Sequence, residues 1–275
     1  MIKYSFLPTD QRLSRYIFSY GIMELPEGII APLISPPNGM TGFLIRIKSD
    51  KNGFLDGKDY IGNTIANQPS YAIGQMTHPI SGYGHGQLTM LVVFFKPKGM
   101  FELFKYDTAA IRNKSIDLIE FLGPDIGLPF LEDLTLDDNI DRQIAILNTF
   151  FLSLLPNHAT SSALGQVLQL IHDAKGNITV KTIEQNTGMA RRTIERQFSQ
   201  KIGISPKVYA QIIRFKNVLN YLESNPGTTW AELTHNNGFF DQAHMIRYFK
   251  KYLNISPNNL VKLDLEFINY LLTQY

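Results

Sequence analysis

Gly188-Met189-Ala190-Arg191-Arg192-Thr193-Ile194-Glu195-Arg196-Gln197-Phe198 recurs as Gly238-Phe239-Phe240-Asp241-Gln242-Ala243-His244-Met245-Ile246-Arg247-Tyr248-Phe249, with one extra residue in the second turn. Past that insertion Arg196 pairs with Arg247, Phe198 with Phe249, and Ile204-Ser205-Pro206 with Ile255-Ser256-Pro257, all at an offset of 51 residues. An arginine, a phenylalanine and an Ile-Ser-Pro triplet held at one offset mark an internal repeat.

The apolar positions give each copy a face. At about 100° per residue, Ile194, Phe198 and Ile202 form one helical stripe and Met245, Phe249 and Leu253 its counterpart, so these six are expected in a core. Arg192, Arg196 and Ser199 then point outward from the first helix. Ala243, Arg247 and Lys250 do so from the second, with Gln242 and His244 near its start. Gly188 and Gly238 suit the turn before each helix, where a positive φ is costly for other residues. Helix, short turn and second helix together make a helix-turn-helix, whose second helix enters the DNA major groove. There Arg can bond guanine O6 and N7 and Gln can bond adenine, while Lys250 and Lys251 suit phosphates. A polar outer face is ordinary for any solvated helix. The same arginine at the same place in both copies is what favours reading.

Around the repeat, helices are expected near 162–174, 179–187, 190–201, 206–223, 229–236, 241–252 and from 257 onward, forming two three-helix units joined by the long middle helix. Thr179 and Thr228 stand where N-caps belong, and Ser205-Pro206 and Ser256-Pro257 each place a hydroxyl before a proline whose missing N–H costs nothing in a first turn.

Gly238-Phe239, Asp241, His244, Arg247, Phe249-Lys250-Lys251 and Ser256-Pro257 resemble the signature of AraC/XylS-type transcription regulators. Gly188-Met189, Arg196, Phe198, Gly203 and Ser205-Pro206 resemble the first unit of the same DNA-binding domain, and the resemblance covers roughly residues 165–263. It implies that Arg192, Glu195 and Arg196, with Gln242, Ala243, His244 and Arg247, face DNA bases. Glu195 has two readings, as an acceptor from cytosine N4 or as a partner that orients Arg191 or Arg192. The sequence departs from the pattern at four places. Glu184 and Thr234 stand where a small residue usually precedes the turn glycine, Asn254 replaces a common glycine, and Leu260-Val261 replaces an aromatic-basic pair. A long Glu184 at a close helix contact is expected to disturb the packing of the first unit.

The preceding half reads differently. Thr9 to Tyr20 carries Leu13, Tyr16, Ile17 and Tyr20 at helical spacing, which predicts a short amphipathic helix. From Gly21 to Phe95, runs such as Gly42-Phe43-Leu44-Ile45-Arg46-Ile47 and Leu88 to Phe95 lie between Asn38-Gly39, Asn52-Gly53, Asp56-Gly57 and Gly82-Tyr83-Gly84-His85-Gly86, which predicts strands, with the last stretch as a hairpin turn. Helices return at Gly99 to Phe104 and Asn139 to Leu155, the latter with Ile140, Ile144, Leu147, Phe151 and Leu155 on one stripe. Tyr71, Tyr83, Phe94 and Phe95 are expected as core rather than as an effector pocket, and Leu263, Leu265, Phe267, Ile268, Leu271 and Leu272 as a terminal helix docked on its own half. The stretch Phe6 to Tyr20, and Phe94-Phe95-Lys96-Pro97-Lys98-Gly99 through Phe104, resemble the cupin-like sensor domains of some bacterial regulators, which implies effector binding or dimerisation.

The expected organisation is therefore α+β, with a mostly β, cupin-like region at 1–156, a linker at 157–162 and a double helix-turn-helix domain at 163–275. Charge divides along the same line. Residues 1–160 carry 13 Lys+Arg against 16 Asp+Glu, and residues 161–275 carry 13 against 8. The small excess agrees with a nucleic-acid partner without requiring one. With 44% hydrophobic and 18% charged residues the chain can bury ordinary cores, and the lack of cysteine excludes disulfides and thiolate chemistry and fits a cytoplasmic setting. No apolar run approaches a membrane span of about 18 residues.

No catalytic motif is expected. There is no Gly-x-Ser-x-Gly elbow, no phosphate-binding loop and no Gly-x-Gly-x-x-Gly before a helix. His78 and His85 lack the spacing of a metal set and read as turn residues, so neither a metal nor a cofactor is expected. The reading is a sequence-specific DNA-binding transcription regulator and not an enzyme. Double-stranded DNA is the implied partner, with a small-molecule effector, a second copy of the chain and RNA polymerase as further candidates. The rivals are an effector-binding or protein-interaction protein that has lost DNA reading, and a metal-dependent cupin enzyme.

Overall fold

The computed structural model describes residues 2–27, 30–49, 54–58, 64–65, 70–156, 163–225, 227–257, 259 and 268. The expected linker at 157–162, the Asn52-Gly53 turn, Leu260-Val261 and the terminal apolar run apart from Ile268 lie outside these residues. The architecture is α+β, with an antiparallel β-rich half followed by a helical half.

Among the described residues the first half has ten strands: β1 Lys3–Leu7, β2 Ile17–Leu25, β3 Ile30–Ser35, β4 Thr41–Ser49, β5 Phe54–Lys58, β6 Thr64–Ile65, β7 Ser70–Ile73, β8 Ile80–His85, β9 Leu88–Phe95 and β10 Ser115–Asp117. They pair into a six-stranded sheet of order β1-β2-β9-β4-β7-β10 and a four-stranded sheet of order β3-β8-β5-β6, antiparallel throughout. The helices described in this half are α1 Gly99–Phe104, α2 Leu118–Leu122, α3 Pro124–Thr135 and α4 Ile140–Ser153. The large sheet is buried on both faces. On one, Tyr20, Phe43, Leu91 and Phe95 meet Phe130, Leu147 and Phe151 of the helices; on the other, Met23, Met40, Met90 and Phe94 form a second cluster.

The expected helix from Thr9 to Tyr20 is instead a 3-10 turn at Gln11–Leu13, capped by the Asp10 side chain, followed by β2. The helical spacing has a specific cause. Register shifts between Ile17 and Ser19 where β2 meets β9, and this bulge brings Ile17 and Tyr20 onto one buried face with Leu13 and Tyr16. The glycine-rich stretch Gly82 to Gly86 is likewise not a hairpin turn. Residues through His85 form β8, hydrogen-bonded to β3 on one side and β5 on the other, and only Gly86 and Gln87 turn toward β9. His85 therefore sits at a strand end, and Tyr83, expected in a core, is half exposed; Tyr71, Phe94 and Phe95 are buried. Helices α2 and α3 were not legible, the latter carrying Pro129 inside it.

The helical half contains α5 Ala163–Asp173, α6 Val180–Thr187, α7 Arg191–Ile202, α8 Pro206–Ser224, α9 Trp230–Asn236 and α10 Gln242–Leu253, each within a residue or so of its expected limits. Thr179 caps α6 and Ser205 caps α8. The cap of α9 is Thr229, not Thr228, and it forms a capping box with Glu232. One core joins α5 to α10 around α8, which buries Tyr209, Ile212, Phe215, Val218 and Leu219. Lys216 is buried among them, and burial depresses its ammonium to about 7. Nearby, His172 Nε2 and the Tyr209 hydroxyl lie 2.9 Å apart. Burial first, and the Lys216 charge second, lower that imidazole to about 4.

Candidate nucleic-acid interface

Each helix pair of the repeat is closed by a glycine at positive φ, Gly188 at +67° and Gly238 at +65°. Beyond the turns, Ile194, Phe198 and Ile202 of α7 and Met245, Phe249 and Leu253 of α10 are all fully buried, so both helices are fixed by the same three positions. Their outer faces follow from that. Arg192, Glu195 and Arg196 are exposed on α7, as are Gln242, Ala243, Arg247 and Lys250 on α10.

His244 and Lys251 are placed differently. The His244 ring is half-buried between Phe239 and Tyr248, with centroids 5.4 Å and 5.3 Å away. Burial, then the charges of Arg214 and Arg247, push its imidazole below its ordinary value against a weaker opposing pull from Asp241. Lys251 is half-buried and turned toward α8, where its ammonium donates to Gln211 Oε1 at 3.1 Å and lies 4.7 Å from the Tyr252 ring. A phosphate role fits exposed Lys250 better.

Arg191 and Glu195 form an exposed pair one turn apart, Nε to Oε1 at 2.8 Å. That hydrogen bond, the Glu195 charge and the more distant Glu184 charge raise the guanidinium above its usual range. Such an exposed pair stabilises little but orients both side chains.

The two caps differ. Asp241 accepts from the His244 amide at 2.6 Å and caps α10 in the ordinary way. Ala190 precedes α7 and offers no side-chain acceptor; instead Glu184, from α6, accepts from the Arg191 amide at 2.7 Å. Glu184 therefore does not wedge the helices apart as expected: it is only half-buried and its carboxylate reaches over the turn. Thr234, its counterpart, is buried, with its hydroxyl donating to the Trp230 carbonyl at 2.6 Å.

Sequence reasoning also passed over Arg214 of α8. Its guanidinium donates to the carbonyls of Asn237 and Gly238 and lies 4.1 Å from the Phe239 ring centroid, so it clamps the second turn. No local pattern marks it, because its partners lie more than 20 residues away.

The far end of α7 meets the β-rich half. Thr108, in a 3-10 turn at Thr108–Ile111, donates through its hydroxyl to the Gln200 carbonyl at 2.9 Å, and Lys201 Nζ lies 5.6 Å from the Phe101 ring centroid. Gly203 ends α7 at φ +94°, and a Cβ there would stand 2.9 Å from the Thr108 carbonyl oxygen. Asn254, the equivalent residue of α10, takes the left-handed conformation at φ +57°. Gly39 adds a second contact, where a Cβ would lie 3.0 Å from the Tyr209 ring.

This arrangement is that of a helix-turn-helix domain, and residues 184–262 match the family described as a helix-turn-helix domain. Among curated proteins the chain is similar to the Msm operon regulatory protein of Streptococcus mutans, 30% identical over 121 residues that span 43% of this chain and 43% of that relative. Among solved structures it is similar to ToxT from Vibrio cholerae, at 10% identity and a TM-score of 0.47, with 92% of this chain and 98% of that one covered. Among the described residues no helix is long and apolar enough to cross a membrane, and no three His, Asp or Glu side chains gather as metal ligands.

Proposed function

We propose that this chain is a sequence-specific DNA-binding transcription regulator. The observation that carries the reading is the equivalence of Arg196 and Arg247: both are exposed, both occupy the same place on their helices, and both stand over a fully buried triplet. In this reading Arg192, Glu195 and Arg196 of α7, with Gln242, Ala243, His244 and Arg247 of α10, face base edges, and Lys250 meets a phosphate. Two reading helices on one chain enter successive major-groove segments about 10 base pairs apart, so each copy takes an asymmetric site. Residues 1–156 form the regulatory part. Their separate cores favour that division. A second copy of the chain and RNA polymerase are further partners under this reading.

Selection of duplexes from a random pool by the full chain, followed by mobility-shift titration, tests it. A single enriched motif is expected, and its absence would remove the proposal. Arg247→Ala is expected to weaken the selected duplex by about 1–3 kcal/mol and to relax preference at one base pair. An equal loss on selected and random duplexes would instead make Arg247 a phosphate contact. Lys250→Ala is expected to weaken all duplexes alike and to reduce the slope of log affinity against log salt by about 1.

A further inference from the structure

The two reading helices draw their caps from different places. At the start of a helix the first amide groups lack intrahelical partners, and an acceptor, preferably anionic, must meet them. In the second unit that acceptor is Asp241, directly before α10, and the residue at the helix contact is the short Thr234. In the first unit the assignments are exchanged: Ala190 stands at the cap and Glu184 at the helix contact.

We infer that Glu184 is the positioning residue of the first reading helix, its carboxylate delivered from α6 to do at the Arg191 amide what the side chain before the helix cannot. The consequence for DNA rests on the reading function proposed above; the cap itself rests on the hydrogen bond. An N-cap side chain fixes only where a helix begins. A carboxylate carried by the preceding helix also ties α7 to α6, and so sets the angle at which Arg192 and Arg196 are offered. The same carboxylate lies close enough to Arg191 to act on its charge, on the side away from Glu195 along the chain. Arg191 is paired with Glu195, and Arg192 and Arg196 are the further exposed cations of that face.

The test uses the full chain carrying Glu184→Ala, Glu184→Gln, or Glu184→Ala with Ala190→Asp. Two quantities are read, hydrogen exchange at the Arg191 amide and affinity for the selected duplex scanned base by base. Glu184→Ala is expected to speed exchange and weaken binding by roughly tenfold each, with base preference lost only in the half of the site read by α7. Glu184→Gln, which keeps an acceptor oxygen, retains most of both. Adding Ala190→Asp, whose side chain would reach the Thr193 amide as Asp241 reaches that of His244, leaves the Arg191 amide exchanging fast and the base preference of that half lost, because the tie to α6 is not remade. Unchanged exchange in Glu184→Ala, or recovery of both quantities on adding the aspartate, would overturn the inference. If the unmodified chain selects no duplex, DNA reading falls instead, and the exchange comparison still decides the cap.

Discussion

Phe249→Ala is expected to lower the unfolding free energy by about 3–5 kcal/mol and to abolish base preference in the second half of the site. The ring is fully buried and meets Phe215 of α8 and Trp230 of α9 edge-on, at centroid distances of 5.3 Å and 6.1 Å. Removing it opens a cavity where three helices converge, and α10 loses the anchor that orients Arg247. Urea unfolding of the full chain, followed by far-ultraviolet circular dichroism, gives the stability change. A loss below about 1 kcal/mol would mean that the surrounding helices close over the gap.

Lys216→Met is expected to act in the opposite direction, raising stability at pH 6–7 by about 1–4 kcal/mol. The ammonium is almost wholly enclosed on α8, and its burial holds it at about 7 against an ordinary 10.5. A base depressed in the folded state takes up its proton more readily when unfolded. The cost is therefore fully present below pH 7, shrinks as pH rises from about 7 to 10.5, and vanishes above. At about 1.36 kcal/mol per pH unit this window bounds the cost at roughly 5 kcal/mol. Unmodified protein should gain stability over that alkaline range, and the methionine variant should lose this part of the pH dependence. His172 adds a similar slope lower down, between about 4 and 6.5, since its imidazole is depressed too. Urea midpoints at half-unit pH steps for both proteins would separate the two. Equal slopes above pH 7 would show that Lys216 is not the source.

The helical half was legible because its determinants are local. Apolar residues recur at the helical period, turn glycines carry positive φ, and hydroxyl caps precede prolines, so the limits of α5 to α10 follow from neighbours in the chain. Even there, the cap falls at Thr229 and not Thr228, a choice that the Thr-x-x-Glu spacing to Glu232 already marks in the sequence. Glu184 was misjudged because its partner amide lies seven residues on, across a turn, and the direction of Lys251 depends on Gln211 of another helix.

The β-rich half was legible in kind and not in detail. Runs such as Leu88–Phe95 announce strands. A bulge near Phe18 gave β2 a helical spacing, and the glycines of β8 are held by ladders to β3 and β5, strands distant in sequence. Non-local pairing of this kind leaves no mark in a short window.

The meeting of Gly203 with the Thr108 carbonyl constrains how the chain can diverge. Asn254, at the equivalent place in the second unit, holds the same left-handed conformation with a side chain. Position 203 answers to two masters, the end of its own helix and a carbonyl almost 100 residues earlier. A side chain can enter there only after the turn at Thr108–Ile111 has withdrawn. The order of mutational steps at position 203 is thus set by a second element of the chain.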